Sequence, residues 1–219
     1  MDILELLGSR EARWRRTLGP RGVLDAPLVD RRDELAQLSD ALTALAAGRG
    51  GTLALVGDAG IGKSRLIVAA TEGVNVTTIL EIGGSAFGLA TDRPALADLC
   101  MALREIDPGR HPGISEATVE NGLIALERQA NAGPLLLVVE DADRLDEASV
   151  AALPKLIALA QWLPLLVVVL ARDPLSGELE QTLVSATQIR LRPLPSESAR
   201  ALIAAIAPDA KLVSFYVLT

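Results

Sequence analysis

Apolar positions along this chain follow two alternating patterns. Leu35, Leu38, Leu42 and Leu45 recur three and four residues apart, the spacing of one helix face, with Asp30 placed to cap the run and Gly48 and Gly50 to end it. Residues 52–56 form instead a short unbroken apolar run that leads straight into glycines, as a buried strand does. The two patterns alternate through most of the chain. Strands are expected over 76–82, 135–139, 165–170 and 188–191. Helices are expected from about 62, over 94–106, over 115–131 with Ser115 as cap, over 148–159 in spite of Pro154, and over 196–207. Between them, 107–113 reads Asp-Pro-Gly-Arg-His-Pro-Gly and predicts a turn.

Runs such as 135–139 and 165–170 carry no polar alternation, so both faces of these strands must be covered. Five strands separated by helices predict an α/β chain in which an open five-stranded parallel sheet lies between two helical layers. In such sheets ligands bind at the carboxyl ends of the strands. The polar residues that follow the strands are therefore the candidates for chemistry.

Composition narrows the choice. With 219 residues, 50% hydrophobic and 22% charged, the chain has enough apolar surface for a sizeable core, and aromatics at 2% leave Ala, Leu and Val to fill it. A net charge of −7 and few stacking side chains argue against a nucleic-acid-binding face. Cys100 is the single cysteine and reads as a small core residue; with His111 the single histidine, in a turn and expected at the surface, a zinc site is not expected. The longest apolar run, 163–171, falls short of the roughly 20 residues that span a bilayer. Acidic Asp2 and Glu5 stand where a signal peptide would be positive, so a soluble cytoplasmic protein with no membrane partner is expected. Residues 1–26, with Arg10, Arg13, Arg15, Arg16 and Arg21, read as a solvated leader or as a contact for an anionic partner.

Residues 57–64 read GDAGIGKS, a full match to the phosphate-binding pattern G-x-x-x-x-G-K-[ST], set between an expected strand and an expected helix. Gly57, Asp58, Ala59, Gly60, Ile61 and Gly62 would form a loop whose amides point inward at phosphate oxygens, the glycines giving the backbone freedom and close approach that this needs. The helix N-terminus adds partial positive charge. Lys63, one of only three lysines, would bridge the β- and γ-phosphates, and the Ser64 hydroxyl would ligate Mg²⁺. A loop of this kind needs an acidic partner at the end of a neighbouring strand. The run LLLVVED at 135–141 supplies Glu140 and Asp141, one to hold Mg²⁺ directly or through water, the other to polarise an attacking water.

The strand at 165–170 continues into Ala171, Arg172 and Asp173. Arg172 reads as a γ-phosphate sensor or, more simply, as a solvated partner of Asp173. Asp143, Arg144 and Asp146 read as a solvated charge cluster. No Asn-Lys-x-Asp element follows the fourth strand, which favours ATP over GTP, and the Leu-Ser-Gly-Glu-Leu stretch at 175–179 has neither the position nor the ending of a transporter-ATPase signature.

With these motifs placed, the chain resembles the ATPase domain of the signal-transducing STAND branch of AAA-like P-loop NTPases, in particular that of large LuxR-type bacterial transcriptional regulators. The resemblance covers about 27–207 and rests on five ordered segments: PLVDRRDELAQL, GRGGTLALVGDAGIGKSRL, PLLLVVEDADRLDEASVAAL, PLLVVVLARD and IRLRPLPSESARALI. It implies a P-loop NTPase fold of three αβα layers, with ATP and Mg²⁺ as cofactors. It also implies that Arg31 lies near the nucleotide and that the phosphate-binding segment extends through Arg65. Glu140 stands where the family usually has Asp, Asp141 at the second acidic position, Asp30 where Gly is usual, Arg32 where Glu is usual, and Asp143 and Arg144 where His or Gln and then Trp are common.

In such regulators DNA is bound by an effector domain outside these residues. The partners implied are ATP or ADP and either an effector domain or further copies of the chain, with no direct nucleic-acid contact. The family continues beyond 207 into a lid region, so the tail 208–219 reads as a truncation before it. Three functions follow as expectations: an ATP-binding signalling switch that hydrolyses slowly, an AAA-type remodelling ATPase with continuous turnover, and a truncated, non-catalytic nucleotide-binding remnant.

Overall fold

The computed structural model describes residues 28–72, 74, 78–83, 95–106, 109–111, 113, 116–175 and 177–206. The leader 1–26 and the tail 208–219 lie outside the described residues. In chain order the elements are α1 (Arg32–Ala46), β1 (Gly51–Val56), α2 (Lys63–Thr71), β2 (Thr78–Gly83), α3 (Ala95–Ile106), α4 (Val119–Ala132), β3 (Leu135–Glu140), α5 (Glu147–Trp162), β4 (Leu165–Ala171), α6 (Gly177–Thr182), β5 (Thr187–Arg190) and α7 (Ser196–Ile206). Single 3₁₀ turns cover Ala142–Arg144 and Leu183–Ser185. All five expected strands are present. The short helix α6 was not expected; it forms where Leu175 and Leu179 turn inward and are buried.

The strands make one sheet in the order β2-β3-β4-β1-β5, and every pairing is parallel. Alternation along each strand divides the core in two. Ala54, Val56, Leu137, Val139, Val167 and Val169 face the side covered by α3, α4 and α5, whereas Leu53, Leu55, Leu136, Val138, Val168 and Leu170 face the side covered by α1 and α2. Leu135 to Val139 and Leu165 to Ala171 are wholly buried, which is why their sequence shows no polar alternation. On α1 the buried residues are Leu38, Leu42 and Leu45, as their spacing predicts.

Three local expectations are corrected. Asp30 does not cap α1: Arg31 holds the N-cap position without a side-chain cap bond, and Asp30 stands in the left-handed region at φ 53°, accepting a hydrogen bond from Ser198 Oγ at 3.2 Å. A left-handed backbone favours glycine and tolerates Asp. The cap of α4 is Thr118, whose Oγ1 accepts from Asn121 N at 3.1 Å; Ser115 lies outside the described residues. His111 is buried rather than at the surface, being only 1% exposed. Its turn lies against α4, where Arg110 Nη1 donates to Gln129 Oε1 at 3.2 Å.

Candidate functional site

The loop between β1 and α2 turns on Gly60 and Gly62, both in the left-handed region with φ 74° and 104°, and Gly62 is the N-cap of α2. Gly57 is needed for another reason: a Cβ there would stand 2.9 Å from the Leu191 carbonyl oxygen at the end of β5. From the first residue of α2, the Lys63 side chain folds back so that Nζ donates to the Gly57 and Asp58 carbonyls at 2.8 and 2.9 Å. Burial lowers its pKa, the carboxylates of Asp141, Asp143 and Glu140 oppose that shift, and Arg172 adds to it. Those four residues thus surround the lysine electrostatically.

Ser64 Oγ donates to Glu140 Oε1 at 2.8 Å, joining the start of α2 to the end of β3 across 76 positions of sequence. Burial raises the Glu140 pKa; the Ser64 hydrogen bond pulls it down, Asp141 pushes it up and Lys63 pulls it down. Asp141 takes a left-handed backbone, φ 44°, at the end of the strand and opens the 3₁₀ turn, with Arg144 N donating to its carbonyl at 2.7 Å. A non-glycine residue held there is strained by the order of 1 kcal/mol, and such strain concentrates at functional positions.

Arg172 follows β4, the strand between β1 and β3. Its partner is Asp143, with Nε 3.4 Å from Oδ2, while Asp173 pairs with Arg190 at 2.9 Å. The pairing of Arg172 with Asp173, the alternative to its sensor reading, is therefore corrected; Asp143 and Arg144 are exposed, as a solvated cluster predicts, whereas Asp146 departs from that reading. Asp146 Oδ1 accepts from Ser149 N at 2.8 Å, capping α5, and its Oδ2 accepts from Ala95 N at 2.9 Å at the start of α3. Partial burial pushes the Asp146 pKa up, but these hydrogen bonds outweigh it and the net shift is downward.

Arg31 is buried and bound to the Arg192 carbonyl through Nη2 at 2.7 Å and to Glu34 through Nη1 at 3.3 Å; neither partner belongs to the phosphate-binding loop. Arg65 lies in the first turn of α2, half-buried. Ala59 and Ile61 take their places in the loop, exposed and half-buried respectively.

Sequence reasoning missed Glu81. It lies on β2 opposite Val138 and shares a sheet face with Glu140, two positions further along β3. Burial first, and then the neighbouring Glu140, raise its pKa to about 8. A lone acidic residue inside an apolar strand, between Leu80 and Ile82, was the available signal.

The residues present fit a phosphate–magnesium group. At Gly60 and Gly62 the space beside the backbone is open, and the Ser64 hydroxyl is already in contact with a carboxylate. Among the described residues no three His, Cys, Asp or Glu side chains gather to hold a metal unaided. Mg²⁺ held through a hydroxyl, a carboxylate and substrate phosphates does not require such a group. Among the described residues, no helix is long and apolar enough to cross a membrane.

The fold and loop define a P-loop NTPase domain of α/β class. The family described as "AAA ATPase domain" matches residues 27–168, well over half of the sequence, and the chain belongs to that family. No curated protein was found to match it. Among solved structures it is similar to the Aeropyrum pernix ORC1 protein in complex with DNA, at 20% identity and TM-score 0.62, over 89% of this chain and 53% of that one. It is also similar to a chain of the Escherichia coli MS115-1 HORMA:CdnC:Trip13 complex, at 16% identity and TM-score 0.53, over 84% of this chain and 70% of that one. A third similar structure is Drosophila ORC bound to DNA, at 16% identity and TM-score 0.54, over 90% of this chain and 50% of that one. The chain thus spans about half the length of the two ORC chains.

Proposed function

We propose that residues 27–207 form the ATP-binding, slowly hydrolysing switch domain of a bacterial regulator of the STAND, LuxR-type kind, working in the cytoplasm with an effector domain or further copies of the chain as partner. The observation that carries the reading is the 2.8 Å contact of Ser64 with Glu140, because it joins the phosphate-binding loop to the acidic strand end, as nucleotide–magnesium binding requires. The match to an ATPase family supports it.

In this reading the loop amides and Lys63 Nζ take the β- and γ-phosphates, Nζ giving up the Gly57 and Asp58 carbonyls. Ser64 and Glu140 hold Mg²⁺, which when bound neutralises charge on the phosphate oxygens. The extra methylene of Glu140 relative to Asp is accommodated, since its carboxylate reaches Ser64 directly. Asp141 orients and polarises the attacking water, and Arg172 faces the γ-phosphate. The net charge of −7 supports leaving DNA to another domain, although two of the similar structures are of proteins bound to DNA.

A ligand that binds only the folded state stabilises it by about 2.7 kcal/mol at 100 times its Kd. At about 2–4 °C per kcal/mol for a domain of this size, saturating Mg·ATP raises Tm by roughly 5–11 °C. Lys63→Ala abolishes the rise. A wild-type melting curve indifferent to ATP removes this reading.

A remodelling ATPase is the second reading, favoured by the likeness to a chain from a multi-protein complex. It calls for turnover per chain that climbs as the protein assembles, whereas a slow switch gives low turnover at every protein concentration.

A further inference from the structure

The contact between Arg172 and Asp143 has a geometry suited to exchange. β4 runs beside β1 with Ala171 level with Val56, and Gly57 N donates to the Ala171 carbonyl at 3.2 Å, so Arg172 begins where the phosphate-binding loop begins. Its Nε lies 3.4 Å from Asp143 Oδ2, too loosely aligned to count as a hydrogen bond, and this buried Nε has no hydrogen-bond partner among the described residues. Both side chains are partly exposed, at 41% and 30%, the setting in which an ion pair is worth at most about 1 kcal/mol. Asp143 belongs to the 3₁₀ turn that the left-handed Asp141 starts, so backbone geometry rather than the ion pair holds it in place.

We propose that Asp143 is a latch on Arg172 which the γ-phosphate of a bound nucleoside triphosphate displaces, so that Asp143 tunes the domain's preference for triphosphate over diphosphate. The proposal rests on the reading that the loop at 57–64 binds nucleotide. A terminal phosphate offers several charged acceptor oxygens, and well-aligned charge-assisted hydrogen bonds to them would replace a 3.4 Å ion pair in which Nε makes no hydrogen bond, which favours the exchange. A diphosphate has no such group at that position, and Arg172 stays with Asp143. The latch therefore opposes only the triphosphate.

The test is a set of binding constants for ADP and for a non-hydrolysable ATP analogue, each with Mg²⁺, measured by competition against a fluorescent nucleotide. The chains compared are wild type, Asp143→Asn, Arg172→Gln, the double variant and Asp173→Asn. Asp143→Asn is expected to favour triphosphate over diphosphate by a further factor of about two to five, the worth of a partly exposed ion pair. In the Arg172→Gln background the same change leaves the ratio unaltered, and Asp173→Asn, whose partner is Arg190, leaves it at the wild-type value. Equal tightening of both nucleotides by Asp143→Asn overturns the latch, because general removal of negative charge has that effect. A change of ratio that persists without Arg172 overturns it too. Failure of wild type to bind either nucleotide overturns the nucleotide-binding reading itself and the latch with it, an outcome distinct from the other two.

Discussion

Glu81 and Glu140 sit on one face of neighbouring strands, and the sheet register places them two residues out of step. Burial disfavours the charged form of Glu81, the neighbouring Glu140 adds to this, and Glu81 keeps its proton up to about pH 8. The unfolded chain gives up that proton near the ordinary value of 4.5, so folding takes up a proton between these limits and Glu81 makes stability fall as pH rises through them. Glu81→Gln removes this term: in nucleotide-free protein its Tm exceeds that of wild type at pH 9, and the advantage fades by pH 5, as parallel thermal melts can check. Asp141 is the other residue whose environment makes a prediction. Asn accepts the left-handed backbone as Asp does, so Asp141→Asn leaves the turn intact while removing the charge. If Asp141 polarises the attacking water, the variant binds ATP within a few-fold of wild type but hydrolyses it about 10²- to 10⁴-fold more slowly in single-turnover measurements.

Among the elements, the segment after β3 is held by Asp146, which serves two helices at once. One carboxylate oxygen caps α5 and the other takes the first backbone amide of α3; Ser149 Oγ then accepts from Leu96 N at 3.2 Å. Losing a single cap costs typically about 1 kcal/mol. Asp146→Ala, which loses two such bonds, should lower stability by about 1–3 kcal/mol in urea titrations, and Asp146→Asn should recover part of it. The α3–α4 contact sets a tighter limit. A Cβ at Gly122 would collide with the Leu96 backbone carbonyl, which no rotamer change relieves. Gly122→Ala is therefore expected to destabilise the protein by at least about 1–3 kcal/mol, against the helix propensity that would otherwise favour alanine.

For the molecule as a whole, what matters is that β4 stands between β1 and β3. The phosphate-binding loop leaves β1 and the carboxylates leave β3, so the strand between them delivers Arg172 to the centre of the same rim. Interior side chains fill both faces of the sheet, and the site is carried on a rigid support rather than on loops alone. Steady-state turnover measured across a hundredfold range of protein concentration distinguishes the two readings of function at this scale. A constant, low rate per chain is expected of the switch, and a rate rising with concentration would replace it with the remodelling ATPase.

All the elements but the short α6, the class of sheet and the phosphate-binding loop could be read locally. Helix and strand periods, unbroken apolar runs and the spacing of Gly57, Gly62, Lys63 and Ser64 are properties of neighbouring residues, and neighbouring residues are what a sequence records. The left-handed Asp30, the burial of His111, the pairing of Arg172 with Asp143 and the double cap at Asp146 were not legible in the same way. Each depends on a partner brought close by the order of strands and the packing of helices. Glu81 makes the point most sharply: between Leu80 and Ile82 it is one acid in an apolar stretch, and only the pairing of β2 with β3 sets it beside Glu140. Local chemistry determined what the loop is built to hold; the parallel register determined which charges surround it, because the energy of a charge depends on burial and distance rather than on position along the chain.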